Sequence, residues 1–296
     1  MDGGFIVVDK PAGLTSHDVV GRIRRLARTR RVGHGGTLDP MATGVLVIAA
    51  GRATRLLTYV IGVDKRYTGT IRLGQATITD DAEGEVTSTA PAGHLSDDDI
   101  RAGLAALTGE VEQVPSSVSA IKVDGRRAYK RVRQGESVVL AARPVTVSRL
   151  DVLAIRRPEP DVVDVDVDVA CSAGTYIRAI ARDLGARLGV GGHLTALRRT
   201  AVGRFSLDEA ATLDELEKRA PDVVSLPLAA AARRFLPARE ATESEARALS
   251  HGAPLEAAGI AGPYAVFGPS GELIAVVSER NGRARPEVVL TPAGQG

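Results

Sequence analysis

The sequence predicts an α+β fold: a mixed, largely antiparallel sheet with flanking helices, followed by a small C-terminal β-barrel-like domain. Three observations carry this. Strands and helices do not alternate as a regular βαβ series, which disfavours a doubly wound sheet. Residues 162–171 alternate almost perfectly, with Val163, Val165, Val167, Val169 and Cys171 on one face and Asp164, Asp166 and Asp168 on the other, the pattern of a half-buried antiparallel strand. After a Pro-bounded, alanine-rich segment around 221–237, short Gly-flanked apolar runs at 264–267, 273–277 and 288–290 predict an all-β module. The expected domains are therefore residues 1–232 and 238–296.

Taken in order, residues 5–8 read as a short buried strand, ended by Asp9-Lys10-Pro11-Ala12-Gly13, where Pro and Gly break regular structure. Thr15-Ser16 caps a helix to about Arg28, with Val19, Val20, Ile23 and Leu26 on one side and arginines on the other. A glycine-rich loop follows, then an apolar run at 45–49 that reads as a central strand, and a strand at 67–73 closed by Gly74. Residues 77–84 are polar and acidic, as in an exposed loop. Ile100, Leu104 and Leu107 are in helical register within 95–107. A strand or loop from Pro115 leads to a basic helix at 128–134, and 145–155 is a further strand. Beyond the turn Ser172-Ala173-Gly174, the spacing of Ile177, Ile180, Ala181, Leu184 and Leu188 makes 175–188 a helix.

Hydrophobic residues make up 44% of the 296 and charged residues 25%, values of an ordinary globular chain that argue against long disorder. No apolar stretch reaches the length of a membrane span and the amino terminus lacks a signal-peptide layout, so the expected location is the cytoplasm, away from membranes. The single cysteine, Cys171, excludes an internal disulfide and a cysteine-based zinc site. Net charge is only +2, yet it is unevenly distributed. Arg22, Arg24, Arg25, Arg28, Arg30 and Arg31 fall in a stretch without acids, and Lys122, Arg126, Arg127, Lys130, Arg131 and Arg133 face only Asp124. Smaller groups follow at Arg198, Arg199 and Arg204, and at Arg280, Arg283 and Arg285. Separated basic patches of this kind suit a polyanion track or a solvated surface.

The chemistry is expected in the loop. Asp39 lies among Gly33, Gly35, Gly36 and Gly44, with Pro40 stiffening the chain after it. An acid so presented can be a nucleophile, a general base or a helix cap, and residue type does not choose among them. Tyr67 opens a strand and offers a flat face for a base and an exchangeable proton. Arg178, just after the Gly174 turn, is the candidate partner that keeps an aspartate ionised and oriented.

Gly33-His34-Gly35-Gly36-Thr37-Leu38-Asp39-Pro40-Met41-Ala42-Thr43-Gly44 resembles the signature loop of the bacterial tRNA pseudouridine-55 synthases. The resemblance extends to Lys10-Pro11-Ala12-Gly13-Leu14-Thr15-Ser16, Lys65-Arg66-Tyr67, Gly174-Thr175-Tyr176-Ile177-Arg178 and His193-Leu194-Thr195-Ala196-Leu197-Arg198-Arg199-Thr200, in order across residues 5–205. Gly35 stands where many members have Thr, and Met41 where many have Leu. The resemblance implies the pseudouridine synthase fold with a C-terminal RNA-binding (PUA-like) domain, and isomerisation of uridine 55 in the tRNA TΨC loop. Asp39 is then the nucleophile, Tyr67 stacks on the target base and takes part in proton removal, and Arg178 partners the aspartate. His34 helps displace the base, Tyr176 and Leu197 line the uracil pocket, and Lys10 and Lys122 bind substrate. It further implies no metal or organic cofactor, a monomer, and an accompanying tRNA-folding role.

Two other classes are weighed. A non-catalytic RNA-binding protein satisfies the basic patches but has no use for Asp39 and Arg178. A metal-dependent phosphotransferase is suggested by Asp164-Val165-Asp166-Val167, but acids alternating with valines along a strand describe a solvated face. The Gly-His-Gly-Gly run lacks the Lys-Ser/Thr end of a phosphate-binding loop.

Overall fold

A computed structural model describes residues 3–116 and 140–291, together with the backbone of 122–123 and 126–127. The predicted basic helix at 128–134, most of the segment entering it and the side chain of Lys122 lie outside the described residues.

The main sheet has ten strands. Its central path runs Leu226–Pro227, Gly3–Lys10, Thr43–Gly51, Gly192–Val202, Lys65–Leu73, Val162–Cys171, Arg143–Glu159 and Gly109–Gln113. Val32–His34 pairs with Thr43–Gly51, and Phe205–Ser206 with Gly192–Val202. Among the described strands of this sheet, the pairings are antiparallel except where Arg198 and Arg199 lie beside Thr43 and Gly44. That parallel seam joins two antiparallel halves. Gly44 is obligatory there: its φ is +100°, and a Cβ would stand 2.2 Å from the Arg199 carbonyl oxygen.

The alternation of side chains explains which strands were legible. Ile6 and Val8 enter one hydrophobic cluster and Phe5 and Val7 another; Leu46, Ile48 and Ala50 divide from Val45, Val47 and Ala49 in the same way. Both faces are covered, so these strands read as continuous apolar runs. Strand Val162–Cys171 places Val163, Val165, Val167, Val169 and Cys171 in the first cluster. Its acids are met by arginines, with Arg72 on Asp164, Arg156 on Asp166 and Arg149 on Asp168. That is an ion-pair ladder along the strand's second face, buried at Asp164 and more open at Asp166 and Asp168, rather than a phosphotransferase site.

Helix Ser16–Leu26 starts at the expected cap: the Thr15 hydroxyl accepts from the Asp18 amide, and the Asp18 carboxylate accepts from the Thr15 amide. It buries Val19, Val20 and Ile23, as its spacing predicts. The helix expected over 175–188 begins at Ile177 and ends at Arg187, because Tyr176 is still extended.

Three features depart from expectation. Gly192–Val202, expected only as a motif, is the central strand carrying the parallel seam. The acidic loop at 77–84 is not simply exposed: Thr77, Asp80 and Asp81 are buried, because the turn folds back onto the sheet, where Leu194 N donates to Asp80 O. The alanine-rich segment contains a helix, Leu228–Phe235, lodged between the main sheet and a second, five-stranded one. The second sheet is an open half-barrel with strands ordered Ala238–Glu240, Tyr264–Phe267, Leu273–Arg280, Arg283–Val289 and Leu255–Glu256. Phe5, Phe205 and Phe235 pack as an aromatic trio with centroids 5.7–6.3 Å apart, and Phe267, Leu273 and Val276 of the second sheet join the same cluster. Tyr59 OH adds a hydrogen bond to Glu287 at 2.7 Å.

Candidate active site

Asp39 sits where the loop is pinned on both sides. The Ser16 hydroxyl donates to Leu38 O at 3.0 Å and accepts from Leu38 N at 2.8 Å. On the other side, Lys10 is fully buried, and its ammonium donates to Pro40 O at 3.2 Å, Leu14 O at 2.7 Å and Pro11 O at 2.9 Å. Gly13 N reaches Pro40 O as well. Ahead of the acid, Gly36 has φ +124°, and the Arg199 guanidinium collects the carbonyls of Gly36, Thr37 and Val45. A loop with few side chains of its own is thus made rigid by cations and a hydroxyl from elsewhere.

The Asp39 side chain keeps 34% exposure, while Arg178, which meets it, keeps 6%. Arg178 Nε is 3.0 Å from Oδ2 and Nη2 is 3.3 Å from Oδ1, a fork that fixes the plane of the carboxylate. Arg178 is aimed by its helix start. The Gln113 side-chain amide clamps the Tyr176 backbone, accepting from N at 2.7 Å and donating to O at 3.0 Å. Arg178 Nη1 then donates to Thr79 O at 2.7 Å and Ser116 Oγ at 3.3 Å.

The same guanidinium serves a second acid. Asp81, 4% exposed, places Oδ2 at 3.4 Å from Arg178 Nη1, and its Oδ1 accepts from Thr79 Oγ1 and the Glu83 amide. Burial pushes the Asp39 carboxyl above the usual aspartate range; Arg178 pulls it down and Asp81 pushes it further up. The arginine therefore orients the acid but does not hold its pKa low, contrary to the expectation from sequence, because desolvation outweighs one shared cation. Glu83 is raised too, by burial and then by Asp81 and Asp39.

Tyr67 is buried opposite Arg199 across one strand pair and Val169 across the other. Burial raises its phenol, and Arg199 opposes this. Leu197 is buried two residues before Arg199 on the seam strand. His34 ends the strand Val32–His34; among the described residues its Nδ1 is buried without a hydrogen-bond partner, and burial followed by Arg199 lowers its pKa, which favours the neutral ring. Tyr176 is half-buried beside Arg178. Burial lowers Lys10 and Lys65 to about 8. Asp39 and Arg178 are thus in contact, Tyr67 lies within the field of Asp39, and Lys10 reaches the site through Pro40.

Sequence reasoning missed Asp81, Glu83, Gln113, Ser116 and the inward role of Ser16. It also placed Arg199 in a basic patch, although the side chain is 1% exposed. No spacing signal marks these residues, since each reaches the site from a distant part of the chain.

A mixed sheet with a pinned, arginine-held aspartate at its seam defines the pseudouridine synthase class. The structure superposes on the archaeal box H/ACA sRNP Nop10-Cbf5 complex with TM-score 0.72 and 28% identity, covering 98% of this chain and 86% of that one. It superposes likewise on an H/ACA RNP bound to a substrate RNA containing 2′-deoxyuridine, with TM-score 0.71 and 26% identity, covering 98% and 85%. The family models for the TruB family pseudouridylate synthase N-terminal domain, tRNA pseudouridylate synthase B C-terminal domain and tRNA pseudouridine synthase II C-terminal match residues 24–177, 178–225 and 236–291. The tRNA pseudouridine synthase B of Paenarthrobacter aurescens strain TC1 is 58% identical over 99% of this chain and 96% of its own length. That of Mycobacteroides abscessus is 57% identical over 98% and 97%. The chain belongs to the TruB family of tRNA pseudouridine synthases, which are isomerases.

Proposed function

We propose that this enzyme converts the uridine at position 55 of the tRNA TΨC loop to pseudouridine, with Asp39 as nucleophile. The observation that carries the reading is the partly exposed Asp39 carboxylate held in a fork by Arg178, at 3.0 and 3.3 Å, on a loop pinned from both sides. A reacting group needs this combination of access and fixed direction.

The reaction breaks the bond from C1′ to N1, turns the uracil and joins C1′ to C5; a proton leaves C5 and N1 gains one. Nothing is consumed, so the protein must hold a detached base and move a proton. The target is stacked in the RNA and has to be extruded. Tyr67 supplies a stacking face and a hydroxyl that relays the C5 proton, releasing its own as it takes that one so that a proton is returned to N1, His34 enters as a neutral ring that displaces the base, and Tyr176 and Leu197 enclose the uracil. Lys10 serves binding by holding the loop, and Lys122 serves it as a cation toward the RNA backbone. Residues 1–232 carry the chemistry and 238–296 bind RNA, with Arg22 to Arg31 meeting phosphates. A TΨC stem-loop partner, a monomer, a cytoplasmic location and a tRNA-folding role independent of Asp39 complete the reading. Among the described residues, no helix is long and apolar enough to cross a membrane.

The test is release of tritium from C5-labelled uridine in a tRNA transcript, with mapping of the product position. Wild type giving pseudouridine only at 55, and Asp39→Asn giving none while still binding tRNA, is the expected result. Turnover by Asp39→Asn removes that residue from its role.

A further inference from the structure

Arg199 is the largest fully buried side chain among the described residues, and it is always charged. Its Nε donates to Val45 O at 2.8 Å, Nη2 to Gly36 O at 3.1 Å and Nη1 to Thr37 O at 3.2 Å. Burying a guanidinium among carbonyls is costly compared with filling the same space by an apolar side chain. A position needing only volume is therefore better filled by Leu or Met.

Its place in the sheet is as unusual as its burial. Arg199 is in register with Tyr67 on its antiparallel side and with Gly44 on its parallel side. The ladder is irregular between Arg199 and Ala201. One residue thus faces the phenol across one strand pair while its guanidinium holds the turn two and three residues ahead of Asp39.

We propose that Arg199 is a positioning residue for the isomerisation, locking the Tyr67 phenol and the Asp39 loop into one rigid unit without touching RNA. The proposal rests on the reading of Asp39 and Tyr67 as reacting groups. Their cross-strand register sets Arg199 and Tyr67 on the same face of the strand pair, so the guanidinium stands on the side of the sheet that carries the phenol. The fork on Gly36 and Thr37 fixes how far the aspartate stands from that ring. Burial raises the phenol most; among neighbouring groups Arg199 lowers it, and Cys171 and Asp39 raise it. Removing Arg199 takes away the charge that lowers the phenol and leaves Asp39, which raises it.

The experiment compares single-turnover rates and tRNA dissociation constants for Arg199→Met and Arg199→Lys in the full chain, each with and without Tyr67→Phe. The expected loss of rate for Arg199→Met is about 10²-fold, with the dissociation constant changed less than about threefold and the lysine variant intermediate. The fold-loss is expected to be much smaller when Tyr67 is already Phe. Equal losses in both backgrounds, or a dissociation constant that rises in step with the loss of rate, overturn the proposal; the first outcome describes bulk packing and the second a phosphate contact.

A readout free of turnover comes from 3-fluorotyrosine labelling, since the chain has five tyrosines and the Tyr67 signal is the one missing in Tyr67→Phe. Its titration moves to higher pH in Arg199→Met; an unchanged midpoint overturns the proposal. Should the methionine variant not fold, Arg199→Lys carries both measurements. Failure of the functional reading is separately visible, as turnover in Asp39→Asn or full turnover in Tyr67→Phe.

Discussion

Asp81 lies behind Arg178 as Asp39 lies in front of it: Nη1 is 3.4 Å from Asp81 Oδ2, and Nε is 3.0 Å from Asp39 Oδ2. One buried cation is therefore divided between an acid that is sealed and an acid that is accessible. The sealed acid sets the angle at which the accessible one is gripped.

Breaking this arrangement from its centre is expected to cost both stability and rate. Arg178→Met leaves Asp81 buried without its partner, a loss of about 3–5 kcal/mol, read from denaturant midpoints. Pairing it with Asp81→Leu recovers most of the stability and none of the turnover. Arg178→Lys keeps the charge but loses the fork, and slows the single-turnover rate by about 10²-fold.

The pH profile follows from the direction of the Asp39 shift. The protonated acid cannot act as a nucleophile, so activity falls as pH drops through its pKa, which burial raises above the usual aspartate range. Asp81 contributes to the rise, so Asp81→Asn moves the acid limb of kcat/KM to lower pH. A limb that stays in place shows that Asp81 does not act on the reacting carboxylate.

Lys10 separates holding from binding. Its ammonium reaches only backbone carbonyls among the described residues, so Lys10→Met is expected to lower the rate constant by about tenfold through loosening of the loop, with little change in tRNA affinity. A changed salt dependence of binding in that variant identifies a direct phosphate contact instead.

Gly44→Ala tests the seam. The φ of +100° and the 2.2 Å approach to Arg199 O leave no room for a methyl group, and a destabilisation above about 2 kcal/mol is expected from strain and displacement together. Chemical denaturation measures it directly.

Local pattern explains what was legible before the structure. The valine and aspartate alternation at 162–171 marked a strand with one wet face, and Thr15 with Val19, Val20 and Ile23 marked a capped helix, because each signal is contained within a few residues. The Gly192–Val202 strand was illegible as such. It is interrupted by Thr195, Arg198 and Arg199, whose polar side chains are satisfied only by partners such as Asp9 and Val45 far away in the chain. The loop at 77–84 looked solvated for the same reason. An acid's burial is invisible until the arginine that receives it is placed.

The amino-acid order by itself determined the α+β class, the glycine-rich loop that presents Asp39, and the set of short blocks that resemble one enzyme family, since all are encoded in contiguous residues. Only the tertiary structure decided that Arg178 is shared with Asp81, that Arg199 faces inward rather than toward RNA, and that Lys10 and Ser16 bracket the acid. Hydrogen bonds and charge sharing depend on distances between strands that the chain brings together from far apart, and burial then decides which charges matter.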